Sequence, residues 1–158
     1  MAFEITFTDT ASYGLVAACC EATGTIVIGY YEETFSSALD VLCKRDYLAQ
    51  WRQAAQRLVE GFSSSAIITS LADRGGAVIG MWWPLYACEN GLIAVQNRLI
   101  LRDVVGTGFS VASCYDNVGP HNTTTEDGEP ISEWTTTFDD LVAFATRVER
   151  RLALCESE

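Results

Sequence analysis

The sequence predicts an α+β fold: one domain over residues 1–158, with an antiparallel sheet of about five to six strands packed with helices near 36–60 and 138–153. Three observations predict it. Segments rich in β-branched and aromatic residues recur through the chain, two segments switch to helical spacing, and Gly-Gly and Asn-Gly punctuate the strand-rich middle. The order is strands, helices, an antiparallel meander, helix, which is α+β.

Each element follows from its residues. "FEITFT" places Phe3, Ile5 and Phe7 on one face, a half-buried strand, and "TIVIGYYEE" reads as a second strand. In "FSSALDVLCKRDYLAQWRQAAQRLVEG" the period changes. Ser37 with Asp40 three residues on resembles a capping signal for a short helix. Asp46 can cap a longer helix that closes at Gly61. Tyr47, Trp51, Ala54, Ala55 and Leu58 line one face of it, with Arg52, Gln53, Gln56 and Arg57 largely off that face. "AIITSL", "AVIGMWWPLY" and "LIAVQNRLIL" then read as three strands joined by hairpins through "ADRGG" and "CENG". Pro84 has no amide donor, which places its strand at an edge or a bulge. A further strand is expected near "FSVASCYDNV", followed by the polar loop "GPHNTTTEDGEP". Thr137 caps the last helix with Asp140 at its third position; Leu141, Ala145, Val148 and Leu152 form the buried stripe, and Arg147, Arg150 and Arg151 suit the C-terminal half.

Composition narrows the function classes. With 49% hydrophobic residues, four Trp, six Tyr and seven Phe, a chain of 158 residues has material for a large core. No apolar run reaches the roughly 20 residues of a membrane helix, and "MAFEITFTDT" lacks the basic region of a secretory signal. Cys19, Cys20, Cys43, Cys88, Cys114 and Cys155 form no C-x-x-C pattern and read as reduced, apolar residues of a cytoplasmic protein, in which the Asn122-Thr123-Thr124 sequon is accidental. The net charge of −11 argues against nucleic-acid and anionic-membrane partners. It suits either simple solubility or steering onto a basic protein.

Chemistry-bearing patterns are sparse. The one histidine, His121, lies in a loop with no nucleophile motif to serve. Cysteines are too scattered for zinc, and "GTGF" and "DRGG" lack the context of a phosphate loop, so no cofactor or metal is implied. The carboxylate pairs Glu32-Glu33, Glu126-Asp127 with Glu129, and Asp139-Asp140 have no catalytic spacing, and the last pair suits a helix N-terminus. Trp82 and Trp83 are adjacent, so one enters the core while the other meets solvent, another element or a partner. Gln96 and Asn97 sit amid apolar residues, in a polar network of the scaffold or in contact with a ligand or partner.

The segments "RDYLAQWRQAAQRLVEG", "SAIITSL", "WWPLY", "VQNRLIL" and "ISEWTTTFDDLVAF" occur in an order that resembles the immunity proteins of bacterial contact-dependent growth inhibition, the CdiI-like antidotes of polymorphic toxins. The resemblance runs from about residue 35 to residue 144; the amino-terminal segment and the loop 121–130 match nothing in it. It implies a protein without catalysis of its own that binds the toxic C-terminal domain of a cognate effector, often a nuclease, and blocks its active site or substrate access. It also implies that Trp51, Trp83, Gln96, Asn97, Glu133 and Trp134 build the shared scaffold, with Ile131 and Trp134 in the core beside the last helix and Glu133 bonded to a nearby donor. A nuclease domain must be basic to hold phosphate, so an acidic binder suits it. Charge and loop position select Glu32, Glu33, Asp73, Glu89, Asp116, Glu126, Asp127 and Glu129 as partner-binding residues, with Tyr30, Tyr31 and Tyr115 as anchors. The free chain is expected as a monomer or homodimer. The rival reading is a small-molecule-binding or enzymatic α+β domain whose aromatic strand lines a pocket.

Overall fold

Alternating apolar and polar residues build two antiparallel sheets, where the sequence suggested one. A computed structural model describes residues 2–9, 21–103 and 110–156, without the side chains of 101–103. The first sheet is a meander of β1 (Phe3–Phe7), β2 (Glu21–Ile28) and β3 (Tyr31–Ala38). Its buried side carries Phe3, Ile5, Ala22, Ile26 and Ile28, the period-2 pattern of a sheet with one solvated face. The second sheet has five strands: β4 (Ser64–Arg74), β5 (Ala77–Ala87), β6 (Leu92–Gln96), β7 (Arg98–Asp103) and β8 (Glu133–Thr137). Its order is β4-β5-β6-β8, with β7 also paired to β5. Helices α1 (Lys44–Val59) and α2 (Phe138–Glu156) pack against each other. The core joins both sheets and both helices: Phe3 meets Phe144 edge-on at 5.0 Å, and Phe7 stacks on Trp51 at 5.1 Å. The α+β class is therefore as expected.

The predicted α1 stripe is buried throughout, and α1 does more than fill space. It lies along the free edge of β4 and satisfies it with polar side chains. Gln50 Nε2 donates to the Ala66 carbonyl at 2.8 Å, and the Ile68 amide donates to Gln50 Oε1 at 2.9 Å. One side-chain amide thus acts as a neighbouring peptide unit would. Trp51 Nε1 donates to the Ile68 carbonyl at 2.7 Å, and the Leu71 amide donates to the Tyr47 hydroxyl at 3.0 Å. A strand edge left open would be a template for pairing with another chain. The β1 edge is treated similarly, with Arg147 and Arg151 of α2 donating to the carbonyls of Phe3 and Ile5.

Several expectations change. "TIVIGYYEE" is two strands, because Gly29, at φ 63°, turns the chain after Ile28. Ser37 caps no short helix; it ends β3 and donates to the Thr69 carbonyl at a bulge in β4, where tertiary bonding overrides the local capping signal. The cap of α1 is Cys43, and Asp46 stands at the third position, its carboxylate accepting from the Cys43 amide. Gly61, at φ 103°, does close α1, with the Gly61 and Phe62 amides returning to the carbonyls of Leu58 and Arg57. "LIAVQNRLIL" is interrupted at Asn97, and the interruption explains Pro84. This proline lies on the central strand, not at an edge. Continuing the register would set Trp83 and Pro84 against Asn97 and Gln96, where the β5–β6 pairing has ended at Leu85–Val95 and the β5–β7 pairing has not begun at Trp82–Arg98. The donor that proline lacks falls in that gap.

The strand expected near 109–118 is absent from the described part of that segment, which forms a 3₁₀ turn at Cys114–Asn117. "EWTTT", where the sequence suggested no strand, is β8. Cys19 and Cys20 lie outside the described residues. No helix among the described residues is long and apolar enough to cross a membrane.

Candidate functional site

The N-terminal end of β8 gathers most of the predicted partner-binding residues. It sits between two protruding turns. From one side comes the β2–β3 turn, where Gly29 thrusts Tyr30 fully into solvent at 103% relative exposure. The next residue folds back: the Tyr31 ring stacks on Trp134 of β8, centroids 4.1 Å apart. The Tyr31 hydroxyl donates to Glu33, and burial first, then the Glu33 carboxylate, push its pKa up to about 12. It therefore remains a donor throughout the physiological range. Glu32 alternates to the outside.

From the other side comes the acidic loop, which is itself a small hairpin. Thr124 bridges Pro130, the Ile131 amide donates to the Thr123 carbonyl at 2.9 Å, and the Thr125 amide donates to the Glu129 carbonyl at 2.8 Å. Gly128, at φ 82°, makes the tip turn. Glu126, Asp127 and Glu129 are exposed around that tip.

The base of this hairpin is held by side chains that no motif in the sequence connects. His121 Nε2 lies 2.7 Å from Glu133 Oε2, and its ring stacks on Tyr86 at 4.6 Å with 14° between planes. Gln96 Nε2 donates to Glu133 Oε2 and to the Asn122 carbonyl, both at 2.8 Å. Gln96 is 1% exposed, so the scaffold network expected for it is present, and Glu133 has the donors expected of it. Burial raises the Tyr86 pKa, with Glu133 adding to the rise and Arg98 opposing it. Trp134 packs on Tyr31 and approaches Trp83 at 5.7 Å, so its neighbours come from the sheets. Ile131 lies outside the core cluster, contrary to expectation, because it belongs to the hairpin base. No sequence spacing links His121 to Tyr86 and Glu133; only the strand register does.

The remaining predicted residues lie apart. Asp73 is at the β4–β5 tip and Glu89 at the opposite end of β5, whose 11 residues span roughly 35 Å at about 3.3 Å each. Both cannot belong to one small patch. Tyr115 is buried under α1: its hydroxyl meets Gln50 and Gln53, and Arg57 lies over its ring at 4.2 Å and over Phe62 at 4.1 Å. Asp116 beside it is exposed. Both tryptophans of "WWPLY" are buried, at 7% and 1% exposure. A groove of about 1180 Å³ runs along α1, α2 and Tyr115, away from the aromatic strand. No group of three metal-ligating side chains occurs among the described residues.

The charges are partitioned. Lys44 pairs with Asp9, Arg45 with Glu156, Arg52 with Glu149, Arg74 with Asp40, and Arg147 and Arg151 with Glu4. Among the described residues, Glu32, Glu89, Asp116, Glu126, Asp127 and Glu129 have no cation within ion-pair distance. The same holds for Glu33, Asp46, Glu60, Asp73 and Asp139, on strands and helices or at their ends, whereas Glu126, Asp127 and Glu129 share one hairpin tip.

Comparison with known proteins bears on this arrangement. No curated protein matches the chain. A chain in the CdiA-CT/CdiI toxin and immunity complex from Enterobacter cloacae has a similar fold, with a TM-score of 0.76 and 23% identity over 94% of this chain and 99% of that one. Residues 37–144 match the model of the CdiI N-terminal domain, including β4 to β8 and all of α1. That match spans well over half of the sequence, and the chain belongs to the CdiI N-terminal domain family.

Proposed function

We propose that the protein is a cytoplasmic immunity protein that binds the toxic C-terminal domain of a cognate contact-dependent inhibition effector. It neutralises that domain, a nuclease in this reading, by covering its active site or the path of its substrate. Family membership supports the binding role, as does the similar fold found in a complex of a toxin with its immunity protein. The observation that carries the proposed interface is the gathering of uncompensated carboxylates and a fully exposed tyrosine on the two turns that flank β8.

In this reading Tyr30, Glu32, Glu126, Asp127 and Glu129 contact the toxin, and Tyr31 and Glu33 support the β2–β3 turn. Glu89 and Asp116 extend the acidic rim, Asp73 serves as a remote steering charge, and Tyr115 holds Asp116 in place. A nucleic-acid-cleaving surface must attract phosphate, and carboxylates at fixed positions compete for the same field. A stable complex would bury more than about 1,200 Å² in total, more than one turn offers, so both turns are engaged. The test is co-expression with the C-terminal domain of the effector encoded upstream, reading survival and co-purification. Survival with a stable complex is expected; killing without complex formation, with both proteins soluble, would refute the proposal.

A further inference from the structure

The acidic hairpin poses a physical problem. Residues 121–130 are all exposed, so the loop has little apolar burial to fix its position. It is placed instead by a few polar and ring contacts at its base. One of these involves the only histidine of the chain.

We propose that His121 is a positioning residue for partner recognition: with Glu133, Gln96 and Tyr86 it forms a clasp that holds the acidic hairpin 123–130 against the sheet and presents its carboxylates ready-placed to a basic partner protein. The inference rests on the toxin-binding reading for its partner, but the clasp itself is a property of the free chain. Every contact comes from a different element. Glu133 on β8 accepts from both His121 and Gln96; Gln96 on β6 also holds the Asn122 carbonyl; Tyr86 on β5 supplies the ring beneath the imidazole. By register, Tyr86, Ala94 and Thr135 form one cross-strand row, so the strand between Tyr86 and β8 carries only a methyl group.

The charged and titratable groups around the imidazole are Glu133, Tyr86 and Arg98, the last acting on Tyr86. The imidazole donates one hydrogen bond to the Glu133 carboxylate and lies nearly parallel to the Tyr86 ring. With side chains 32% and 26% exposed, His121 and Glu133 remain partly open to solvent, so the clasp is modest and reversible. A preorganised hairpin loses less freedom on binding, and this is how a residue outside the contact surface reaches affinity.

The test uses the full chain and the variants His121→Ala and Glu133→Ala. Exchange of the Ile131 amide is followed by NMR at one pH, then affinity for the cognate toxin domain. The Ile131 amide is expected to exchange about fivefold faster in either variant than in the wild type, as loss of a part-exposed polar contact allows, and affinity is expected to fall by a similar factor. Unchanged exchange in His121→Ala would overturn the clasp. Faster exchange with wild-type affinity would overturn its role in recognition. Complete absence of toxin binding by the wild type, with the exchange difference intact, would instead sink the proposed function and leave the clasp standing.

Discussion

Replacing Gln50 with leucine tests the idea that α1 completes the edge of β4. Gln50 is 3% exposed, and Ala66 and Ile68, whose backbone groups it bonds, are fully buried. Leucine matches its bulk but orphans one carbonyl and one amide, each costing about 1–3 kcal/mol when left buried without a partner. Added apolar burial returns about 1 kcal/mol. The net loss is about 1–5 kcal/mol, a large share of the 5–15 kcal/mol typical of a domain. Scanning calorimetry should show Tm lower by about 2–20 °C, at roughly 2–4 °C per kcal/mol for a chain of this size. Gln56→Leu on the exposed face of the same helix should stay within about 0.5 kcal/mol. Gln50→Glu adds a sign check. Glutamate keeps the acceptor for Ile68 but sets a buried charge against the Ala66 carbonyl, so its folded-state pKa is raised. Its deficit should be largest at neutral pH and shrink as pH falls and the carboxyl gains a donor proton. A loss below about 0.5 kcal/mol for leucine, or a pH-independent loss for glutamate, would refute the edge role and leave α1 held by apolar packing alone.

Other predictions follow from equally local facts. Reversing Glu126, Asp127 and Glu129 together to lysine should slow toxin association about 10- to 100-fold at low salt while leaving Tm unchanged; stopped-flow rates equal to wild type would remove the hairpin from the interface. Gly80→Ala should cost about 1–3 kcal/mol in urea unfolding, because an added Cβ would stand 2.3 Å from the Ser70 carbonyl oxygen beside the β4 bulge, whereas Gly119→Ala meets nothing. Thr137→Ala should cost about 1 kcal/mol at neutral pH, since the Asp140 amide donates to Thr137 Oγ1 at 3.1 Å as an N-terminal cap. The Thr137 hydroxyl also donates to the Asp140 carboxylate and, as the foremost cause, lowers its pKa. That part of the stability is present above the ordinary carboxylate range and disappears as pH falls through the lowered value. The gap between wild type and variant should therefore narrow in acid without closing.

What was legible in the sequence is what local periodicity encodes. The α1 stripe, the Gly61 stop, the Thr137 cap, the two hairpins of the second sheet and the α+β class all rest on residues within a few positions of one another. Long-range terms decided the failures. Ser37 and Asp40 have the local look of a cap, but Ser37 bonds to β4, 32 residues away. "EWTTT" lacks a strand's apolar alternation, since threonine fills three of its five positions; it is a strand only because β6 supplies a partner. Gln50 carries no apolar signal, so its place on the buried face was invisible. The site divides the same way. Exposed carboxylates on turns follow from composition and turn residues. The meeting of His121, Tyr86, Gln96 and Glu133 depends on four segments that only strand register brings together.

The distribution of charge links the scaffold to the proposed recognition. Four described cations support the packing: Arg147 and Arg151 cap β1, Lys44 is held by Asp9, and Arg57 lies over two rings. Each supports the packing of a specific element, so each is costly to replace. The carboxylates of the 123–130 hairpin support nothing in the core, and the hairpin is fixed through its backbone and through His121 and Asn122 at its base. Substitutions at Glu126, Asp127 and Glu129 therefore alter the field presented to a partner at almost no cost in folding free energy. A recognition surface built this way is retuned without disturbing the sheet beneath it, whereas one placed on the buried β8 residues would be coupled to the fold at every position.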